Sequence, residues 1–390
     1  MGVLTLTSLI PSIQEAMDVV SRELVGFIPA VSRDSNAERA AVGQMVVSPV
    51  VGAMVAEDLV PAAYAADTPN QTIGNVQMTI SKARSVPFGI TGEESRGLSN
   101  AGTLGSINSQ RIAQAMRALT NEVEADLAAL HIATSRAYGT AGTTPFGTAG
   151  DLTDFAQARK ILDDNGSPQS DMHMVLGGAA VANIRGKMST LFQYNTGGPQ
   201  ADALLRLGAL GEYQGMLLHN SAQVKEGVAA GSAAAATTNA TGYAVGATVI
   251  TLAAAGTGAV IAGDFISFAG DTNKYGVVSG DADTSNAGTI TIAEPGLRVA
   301  MSAAAKAITV ISAGTRNMFF HRSAIQLATR APAMPEGGDD ADDVMMVTDP
   351  ASGLTYEFCV YKQKRQVRYE INLAWGVKMI APRHAGLLLG

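Results

Sequence analysis

Cysteine is almost absent from this chain, which has only Cys359 among its 390 residues. A single cysteine excludes an intrachain disulfide and any metal site built on a CxxC pair. Charge is also scarce, since 16% of the residues are charged and the net charge is −7. Phosphate binding needs clustered Lys and Arg, so this composition argues against specific nucleic-acid binding and against a grip on an anionic membrane. No apolar run approaches the ~18 residues that a membrane-spanning helix needs.

The motifs of common catalytic and nucleotide-binding sites are missing as well. No serine lies in GxSxG, and neither GxxxxGK[ST] nor a GxGxxG after a strand is present. Five histidines are scattered along the chain without HxxxH or HExxH spacing, namely His131, His173, His219, His321 and His384. We therefore predict no catalytic residue, no cofactor and no metal site, although two distant histidines could still meet in space.

Two acidic clusters are candidates for a bound cation. Asp281 and Asp283 imitate the start of a calcium loop, but Asn286 and Ile292 replace the glycine and the bidentate glutamate that such a loop needs. The second cluster lies in the segment 333–343, AMPEGGDDADD. We interpret the first cluster as a polar hairpin tip and the second as a solvated loop.

Helical periodicity dominates the first part of the chain. A helix is predicted from about residue 11 to residue 24, packed either in the chain's own core or on a neighbouring subunit. The strongest pattern covers residues 109–138, without Pro or Gly and with Gly139 as the stop. Its apolar face carries Met116, Leu119, Val123, Leu127 and Leu130, whereas Arg117, Glu122, Glu124 and Asp126 are expected mostly off that face.

Residues 44–97 have an extended pattern instead. Val76, Met78 and Ile80 alternate with polar residues as in a half-buried strand, and a long stretch rich in Pro, Gly and Ala precedes them. So long an irregular segment indicates an extended arm or hairpin that reaches away from the body. Lys82, the first lysine of the chain, is expected on this arm in a salt bridge or plainly solvated, with a covalent cross-link as the less favoured alternative.

The second half of the chain combines an α/β region with β-rich segments. Helices are predicted at 152–164, 177–188 and about 202–207, and strands at 172–176 and 215–224. In the low-charge segment 225–313 we expect a small β-barrel or meander that folds by itself, with Phe265 and Phe268 in its core. Its predicted strands are 248–252, 265–268, 275–278, 289–292 and 308–311. The tail from residue 317 is predicted to be β, with a hairpin turn at 349–353, which makes the fold class α+β.

Three phrases of the sequence carry a resemblance to a known family. They are AMDVVSRELVGFIPAVSRD (16–34), AGDFISFAG (262–270) and MFFHRSAIQLATRAP (318–332). In order and spacing they resemble the major capsid proteins of tailed bacteriophages, which have the Hong Kong 97-like fold. More narrowly, the chain is similar to the coat proteins of short-tailed Salmonella phages, which carry an inserted β-barrel domain. The resemblance covers nearly the whole chain, which is shorter than the best-known relative.

The resemblance implies a division of the chain into segments with different roles. The implied segments are an N-terminal arm (1–43), an extended loop over a neighbouring subunit (44–97), a spine helix with P-domain (98–164), a first part of the A-domain (165–224), an inserted β-barrel (225–313) and a β-rich completion of the A- and P-domains (314–390).

The resemblance also implies a function. It implies self-assembly into an icosahedral shell of pentamers and hexamers in the host cytoplasm, with a scaffolding protein and a portal as partners and a decoration protein only as a further candidate. The charged residues expected at subunit contacts are Arg33, Arg39, Lys82, Arg84, Glu93 and Glu94. The basic members are expected to meet Glu93, Glu94 or acidic residues of another subunit, and plain solvation is the alternative for each.

Other classes of protein remain as alternatives. An encapsulin-like cellular compartment shares the general fold, but the inserted β segment favours a phage protein. A secreted adhesin or surface-layer protein would explain the low-charge β segment, although the N-terminus lacks the basic region of a signal peptide. An enzyme would require a site assembled from scattered residues.

Overall fold

A computed structural model describes residues 10–16, 25–50, 74–100, 102, 104–187, 210–349 and 352–390. Residues 10–16 are helical, and Ile13 and Ala16 are buried in the main core, so this part of the predicted N-terminal helix packs on its own chain. Residues 17–24, the centre of the extended loop and the helix predicted near 202–207 lie outside the described residues. The α-helices that follow are α1 (Phe27–Ala30), α2 (Gly92–Asn100), α3 (Leu104–Ala129), α4 (Thr153–Asp164) and α5 (Gly178–Lys187).

Helix α3 forms where the sequence predicted the long helix, but both predicted ends were wrong. It begins at Leu104, and a 3-10 turn at Leu130–Ala133 follows its last residue. Residues Arg136–Tyr138, predicted as helix, form strand β5 because they pair with strands on both sides, and such tertiary pairing overrides local propensity. The predicted apolar face is otherwise confirmed, with Met116, Leu119, Val123 and Leu127 no more than 1% exposed.

The first sheet lies against α3 and contains the chain's only tryptophan. Its strands are β1 (Ser32–Ala40), β4 (Lys82–Thr91), β15 (Ile325–Pro332), β16 (Asp343–Thr348), β17 (Thr355–Gln363) and β18 (Gln366–Met379). The order is β1-β15-β18-β17-β16, and β4 also pairs with β18 from Lys82 opposite Trp375 to Thr91 opposite Gln366. Alternate residues of β18, including Ile371, Leu373 and Trp375, join the apolar face of α3 in the main core.

The second sheet separates the main core from a second one. Its body strands are β5, β6 (Met172–Leu176), β7 (Glu212–Tyr213), β8 (Met216–Asn220), β14 (Arg316–His321) and β19 (Ala385–Leu389), in the order β5-β19-β14-β6-β8-β7. Met318 and Phe320 of β14 face the main core, whereas Phe319 faces the core formed with α4 and α5. The predicted helices and strands of the α/β region, and the strands of the tail, are therefore confirmed for the described residues.

The β segment 225–313 lies between β8 and β14 of the second sheet and is called the insertion below. It has a core of its own but is joined to the body sheet, unlike the self-contained unit that the sequence predicted. Its strands are β9 (Val249–Thr251), β10 (Phe265–Phe268), β11 (Lys274–Ser279), β12 (Thr289–Ile292) and β13 (Ile308–Val310), close to the predicted positions. Strand β11 pairs with β5 of the body, with Tyr275 opposite Arg136, so the second sheet continues into the insertion. Phe265 belongs to the main core, where the Arg316 guanidinium lies 5.6 Å from its ring centroid, while Phe268 packs inside the insertion.

Gly263 and Asp264 form the turn that opens this insertion's second strand. Gly263 has a φ of +90°, a conformation that glycine adopts without strain. The Asp264 carboxylate is 1% exposed and accepts hydrogen bonds from the backbone N–H groups of Gly231 and Ile261, each at 2.8 Å. The turn is therefore fixed by backbone donors from two other parts of the same segment.

A separate two-stranded hairpin begins the extended loop. Strand β2 (Met45–Val50) pairs only with β3 (Gly74–Thr79) among the described strands, with Met45 opposite Thr79 and Val50 opposite Gly74. Its base is tied to the body, because Ser81 N–H donates to the Trp375 carbonyl and the Lys378 ammonium donates to the Gln77 carbonyl. Within the described residues, the segment predicted as an arm or hairpin thus begins as a two-stranded antiparallel hairpin, and the arm itself stays a prediction.

Candidate functional site

A charged network joins strand β4 to helix α3 at the base of the hairpin. The Lys82 Nζ lies 2.8 Å from Asp126 Oδ1 and 3.2 Å from Glu122 Oε1, and Arg84 Nε lies 3.2 Å from the same Glu122 oxygen. The Trp375 indole N–H donates to the other Asp126 oxygen at 2.9 Å. The hydrogen bond to Asp126, partly opposed by burial, raises the pKa of Lys82 above its ordinary value. The salt-bridge alternative for Lys82 is therefore the one that the structure contains.

Strand β1 carries the two other basic candidates and ties them to β17. Arg39 Nη2 lies 2.6 Å from the Glu357 carboxylate, which is 2% exposed, and Arg39 also donates to the Pro332 carbonyl at 2.9 Å. Arg33 donates to the Ser352 carbonyl at the turn between β16 and β17. Both arginines thus have partners on their own chain, and neither of these contacts involves Glu93 or Glu94.

Glu94 lies in the first turn of α2 and caps the start of that helix. The Glu94 carboxylate accepts from the Thr91 N–H at 3.1 Å, and the Thr91 hydroxyl accepts from the Glu94 N–H at 3.2 Å. This reciprocal pair is a capping box, and the spacing Thr91-x-x-Glu94 would have revealed it in the sequence. Glu93 instead lines a cleft of about 720 Å³ between α2, the start of α3 and the turn between β17 and β18.

Glu124 is the residue of this region that sequence analysis placed wrongly. It was expected off the apolar face, yet it is 1% exposed. Its carboxylate accepts from Phe27 N–H at 2.9 Å, from Ile28 N–H at 2.8 Å and from the Ser221 hydroxyl at 2.9 Å. Burial raises the pKa of Glu124, while the backbone donors of Ile28 and Phe27 act in the opposite direction. No sequence signal marks this site, because its donors lie 97 residues away on either side.

The Glu124 carboxylate therefore joins three segments at one buried point. They are the short helix α1, the long helix α3 and the end of β8. Gly26 is required there, since a Cβ at this position would lie 2.8 Å from the Asn220 carbonyl oxygen. The N-terminal segment is thus fixed to the long helix by hydrogen bonds as well as by apolar packing.

The predicted acidic clusters are engaged in local hydrogen bonds. Asp283 accepts from the N–H and the hydroxyl of Ser285, as in a polar turn, and Asp339 accepts from the Tyr361 hydroxyl at 2.7 Å. Within the described residues no group of three or more His, Cys, Asp or Glu side chains is placed to hold a metal ion. None of the helices in the described ranges is long and apolar enough to span a membrane.

Comparisons with known proteins relate the chain to phage structures. No protein-family model and no curated protein sequence matches it. Among solved structures it is similar to one titled "Capsid structure of the Cyanophage P-SCSP1u", with 12% identity, 92% of this chain and 86% of that chain covered, and a TM-score of 0.48. A structure from Mycobacterium phage Che8 has 14% identity, 89% and 84% coverage and a TM-score of 0.46.

A third similar structure is titled "Asymmetric unit of bacteriophage PhiM1 mature capsid". It has 10% identity, covers 93% of this chain and 86% of that chain, and gives a TM-score of 0.44. These TM-scores lie below 0.5, so we infer function from the contacts of this chain itself.

Proposed function

We propose that this chain is the major capsid protein of a tailed double-stranded DNA bacteriophage and that it assembles into an icosahedral shell around the genome. Support comes from the family resemblance of its three sequence phrases. It also comes from structural elements that follow one another along the chain in the order that this resemblance implies. They are an N-terminal segment, a separate hairpin, a 26-residue helix across a sheet and an inserted β segment. In this proposal the fold is Hong Kong 97-like, and the insertion is the β-barrel domain of the Salmonella phage subgroup.

The surface of the hairpin is the observation that carries the proposal. Val42, Met45 and Val47 are 60%, 57% and 53% exposed at its base. One face of the hairpin packs on the body through Met78, beside Ala328 and Ala374, so these exposed residues lie on its other face. Clustered exposed apolar residues commonly mark contact surfaces. A neighbouring subunit that covers this face would stabilise the assembly by about 25 cal/mol for each Å² of apolar surface that it removes from water. A shell subunit uses such an exposed apolar face to contact its neighbour, whereas in a monomeric protein the face stays in water.

The charged residues acquire more definite roles in this proposal. Lys82, Arg84 and Arg39 hold the arm and the N-terminal strand on their own subunit, so that both are presented to a neighbour in a fixed direction. Arg84 keeps 57% of its side chain exposed and remains, with Glu93, a candidate for contacts between subunits. The segment boundaries implied by the resemblance stay part of the proposal.

The proposal also covers partners and location. The subunits form pentamers and hexamers, and a scaffolding protein and a portal take part in assembly. A decoration protein is a further candidate partner. The product is the virion capsid, which is assembled in the host cytoplasm. The scarcity of clustered basic residues suits a shell that encloses DNA without binding it tightly.

A paired substitution on the hairpin tests the proposal. The chain is expressed with the genes that flank it, and particles are examined by sedimentation and negative-stain electron microscopy. Uniform shells tens of nanometres across are expected from the unaltered chain. Val47→Asp should leave folded, soluble protein without shells, because it places a charge in the proposed apolar contact.

Val47→Thr is the matched control, because it keeps a β-branched side chain of similar size at the same exposed position and adds no charge. This variant should still form shells. Shells from Val47→Asp would contradict the role of the hairpin. Only small oligomers from the unaltered chain, with a scaffolding protein present, would contradict the capsid function.

A further inference from the structure

Four of the five histidines, scattered in sequence, meet at one end of the second sheet. His173 lies on β6 and His219 on β8, and His173 Nδ1 is 3.0 Å from His219 Nε2. The rings of His321 and His384 lie close together as well, with centroids 6.3 Å apart. Sequence analysis left open that two distant histidines could meet in space, and His173 and His219 do so because β6 and β8 pair in parallel, which brings residues 46 positions apart onto neighbouring strands.

The hydrogen bonds of this pair fit two neutral rings that donate in one direction. A contact between two ring nitrogens is a hydrogen bond only when one donates and the other accepts. His173 Nε2 lies 3.0 Å from Asp171 Oδ1, which accepts, so His173 donates there and accepts at Nδ1 from the His219 N–H. The two neutral rings thus form a chain of donors from His219 through His173 to Asp171.

The surroundings of the pair oppose protonation. The groups that face it are Asp171 before β6, His321 at the end of β14 and Arg322 in the turn that follows. Arg322 Nη2 lies 3.2 Å from His173 Nε2, and Arg322 Nε lies 3.1 Å from Asp171 Oδ2. Burial lowers the pKa of His173. Burial, with the neighbouring His173 and Arg322, lowers the pKa of His219 to about 4. Protonation of His219 alone leaves its Nε2–H donating to His173 but places a charge in this buried site beside Arg322. Protonation of both rings would also set two N–H groups against each other and replace the bond by repulsion.

The His173–His219 bond lies where the terminal hairpin of the second sheet is attached to the rest of that sheet. Strands β7 and β8 form the terminal hairpin of the second sheet, and β6 is the one strand of the described body to which this hairpin is paired. Met216 and Leu218 of β8 bury their side chains in the second core, whereas His219 lies on the opposite face. Loss of the histidine bond therefore weakens the attachment of the whole hairpin to the sheet.

We propose that the His173–His219 bond is an acid-sensitive contact that holds the β7–β8 hairpin on β6 and releases it when the pair takes up protons. Release exposes the edge of β6 and the side chains of Met216 and Leu218. The chain then has an exposed apolar strand edge that is present only in acid. The proposal concerns the single folded chain and does not depend on the capsid function.

Hydrogen–deuterium exchange of the unassembled chain at pH 7.5 and pH 5.0 tests it, with rates corrected for the intrinsic pH dependence of exchange. His219 has a pKa of about 4 while the hairpin is held and the ordinary value of 6.5 once the hairpin is released. The equilibrium constant for release of the hairpin is therefore about 30-fold larger at pH 5.0 than at pH 7.5. Amides of residues 216–220 should lose protection by that factor, whereas amides in the centre of α3 should not.

Two variants separate the pair from a general effect of acid. His219→Gln keeps an N–H donor for His173 but cannot take up a proton, so the hairpin should keep its protection at pH 5.0. His131→Gln is the matched control, because His131 is also buried with a lowered pKa but lies in the 3-10 turn after α3. It should leave the 30-fold change intact.

Equal corrected exchange of residues 216–220 at both pH values would overturn the proposal, and so would an unchanged acid response in His219→Gln. If His219→Gln does not fold, the imidazole signals of the unaltered chain are titrated by NMR instead. A midpoint for His219 below pH 5 is then expected, and a midpoint of 6 or higher overturns the proposal.

Discussion

The buried Glu124 carboxylate offers the sharpest test of how the N-terminal segment is held. Glu124→Ala removes the acceptor for the N–H groups of Phe27 and Ile28 and for the Ser221 hydroxyl. Each buried donor left without a partner costs about 1–3 kcal/mol. Removal of a buried charge returns part of this cost, because that charge no longer has to be desolvated. We expect a net loss of ~3 kcal/mol in the free energy of unfolding.

Glu124→Gln should cost only ~1 kcal/mol, because its carbonyl oxygen still accepts and Ser221 can rotate to accept from the new amide. The stability of the unaltered chain and that of Glu124→Gln also respond differently to pH. The pKa of Glu124 is raised above 4.5 by burial, so its protonation stabilises the fold below that pH, and this contribution is lost as the pH rises through the raised value. Glutamine does not ionise, so the deficit of Glu124→Gln against the unaltered chain should be smaller at pH 8 than at pH 4.

Urea unfolding followed by tryptophan fluorescence is a suitable assay. Trp375 is the only tryptophan, is fully buried and donates to Asp126 on the same helix as Glu124. The control is Glu122→Ala, which removes a carboxylate of α3 that is 32% exposed and should cost at most ~1 kcal/mol. If Glu124→Ala loses no more stability than Glu122→Ala, the Glu124 contacts do not hold the N-terminal segment.

Three further substitutions probe the cores and the joint with the insertion. Val123→Asp should abolish soluble expression, because it buries an unpaired charge at a site that is 0% exposed. Arg136→Ala should cost ~3 kcal/mol and let the insertion melt separately in calorimetry, because the Arg136 side chain bridges β5, the insertion and the end of α4; a single unchanged transition would contradict this. Gly139→Ala should lower the urea midpoint more than Gly142→Ala, because both have positive φ but only a Cβ at 139 would lie 2.7 Å from the Leu389 carbonyl oxygen; equal midpoints would contradict this.

The salt bridges of the charged candidates show how much of a site can be predicted from sequence patterns. Sequence analysis expected Lys82 and Arg84 to meet Glu93, Glu94 or acidic residues of another subunit, with plain solvation as the alternative. Within the chain they pair with Glu122 and Asp126, because β4 runs along β18 beside α3. Which carboxylate meets which base depends on strand register, and register is set by contacts far apart in the chain.

The sequence by itself determined the elements whose signal is local. The apolar face of α3 follows from residues three and four positions apart, and the strands of the insertion follow from short apolar runs between Gly, Asp and Asn. Turns at Gly263 and Asp349 follow from residue chemistry, since glycine tolerates positive φ and aspartate accepts from nearby N–H groups.

Only the tertiary structure decided what depends on partners distant in sequence. Residues 136–138 are strand rather than helix because β11 and β19 offer hydrogen bonds on both sides. The insertion joins the body sheet for the same reason. The buried state of Glu124 and the pairing of His173 with His219 required segments 97 and 46 residues apart to meet, and no local pattern encodes such a meeting.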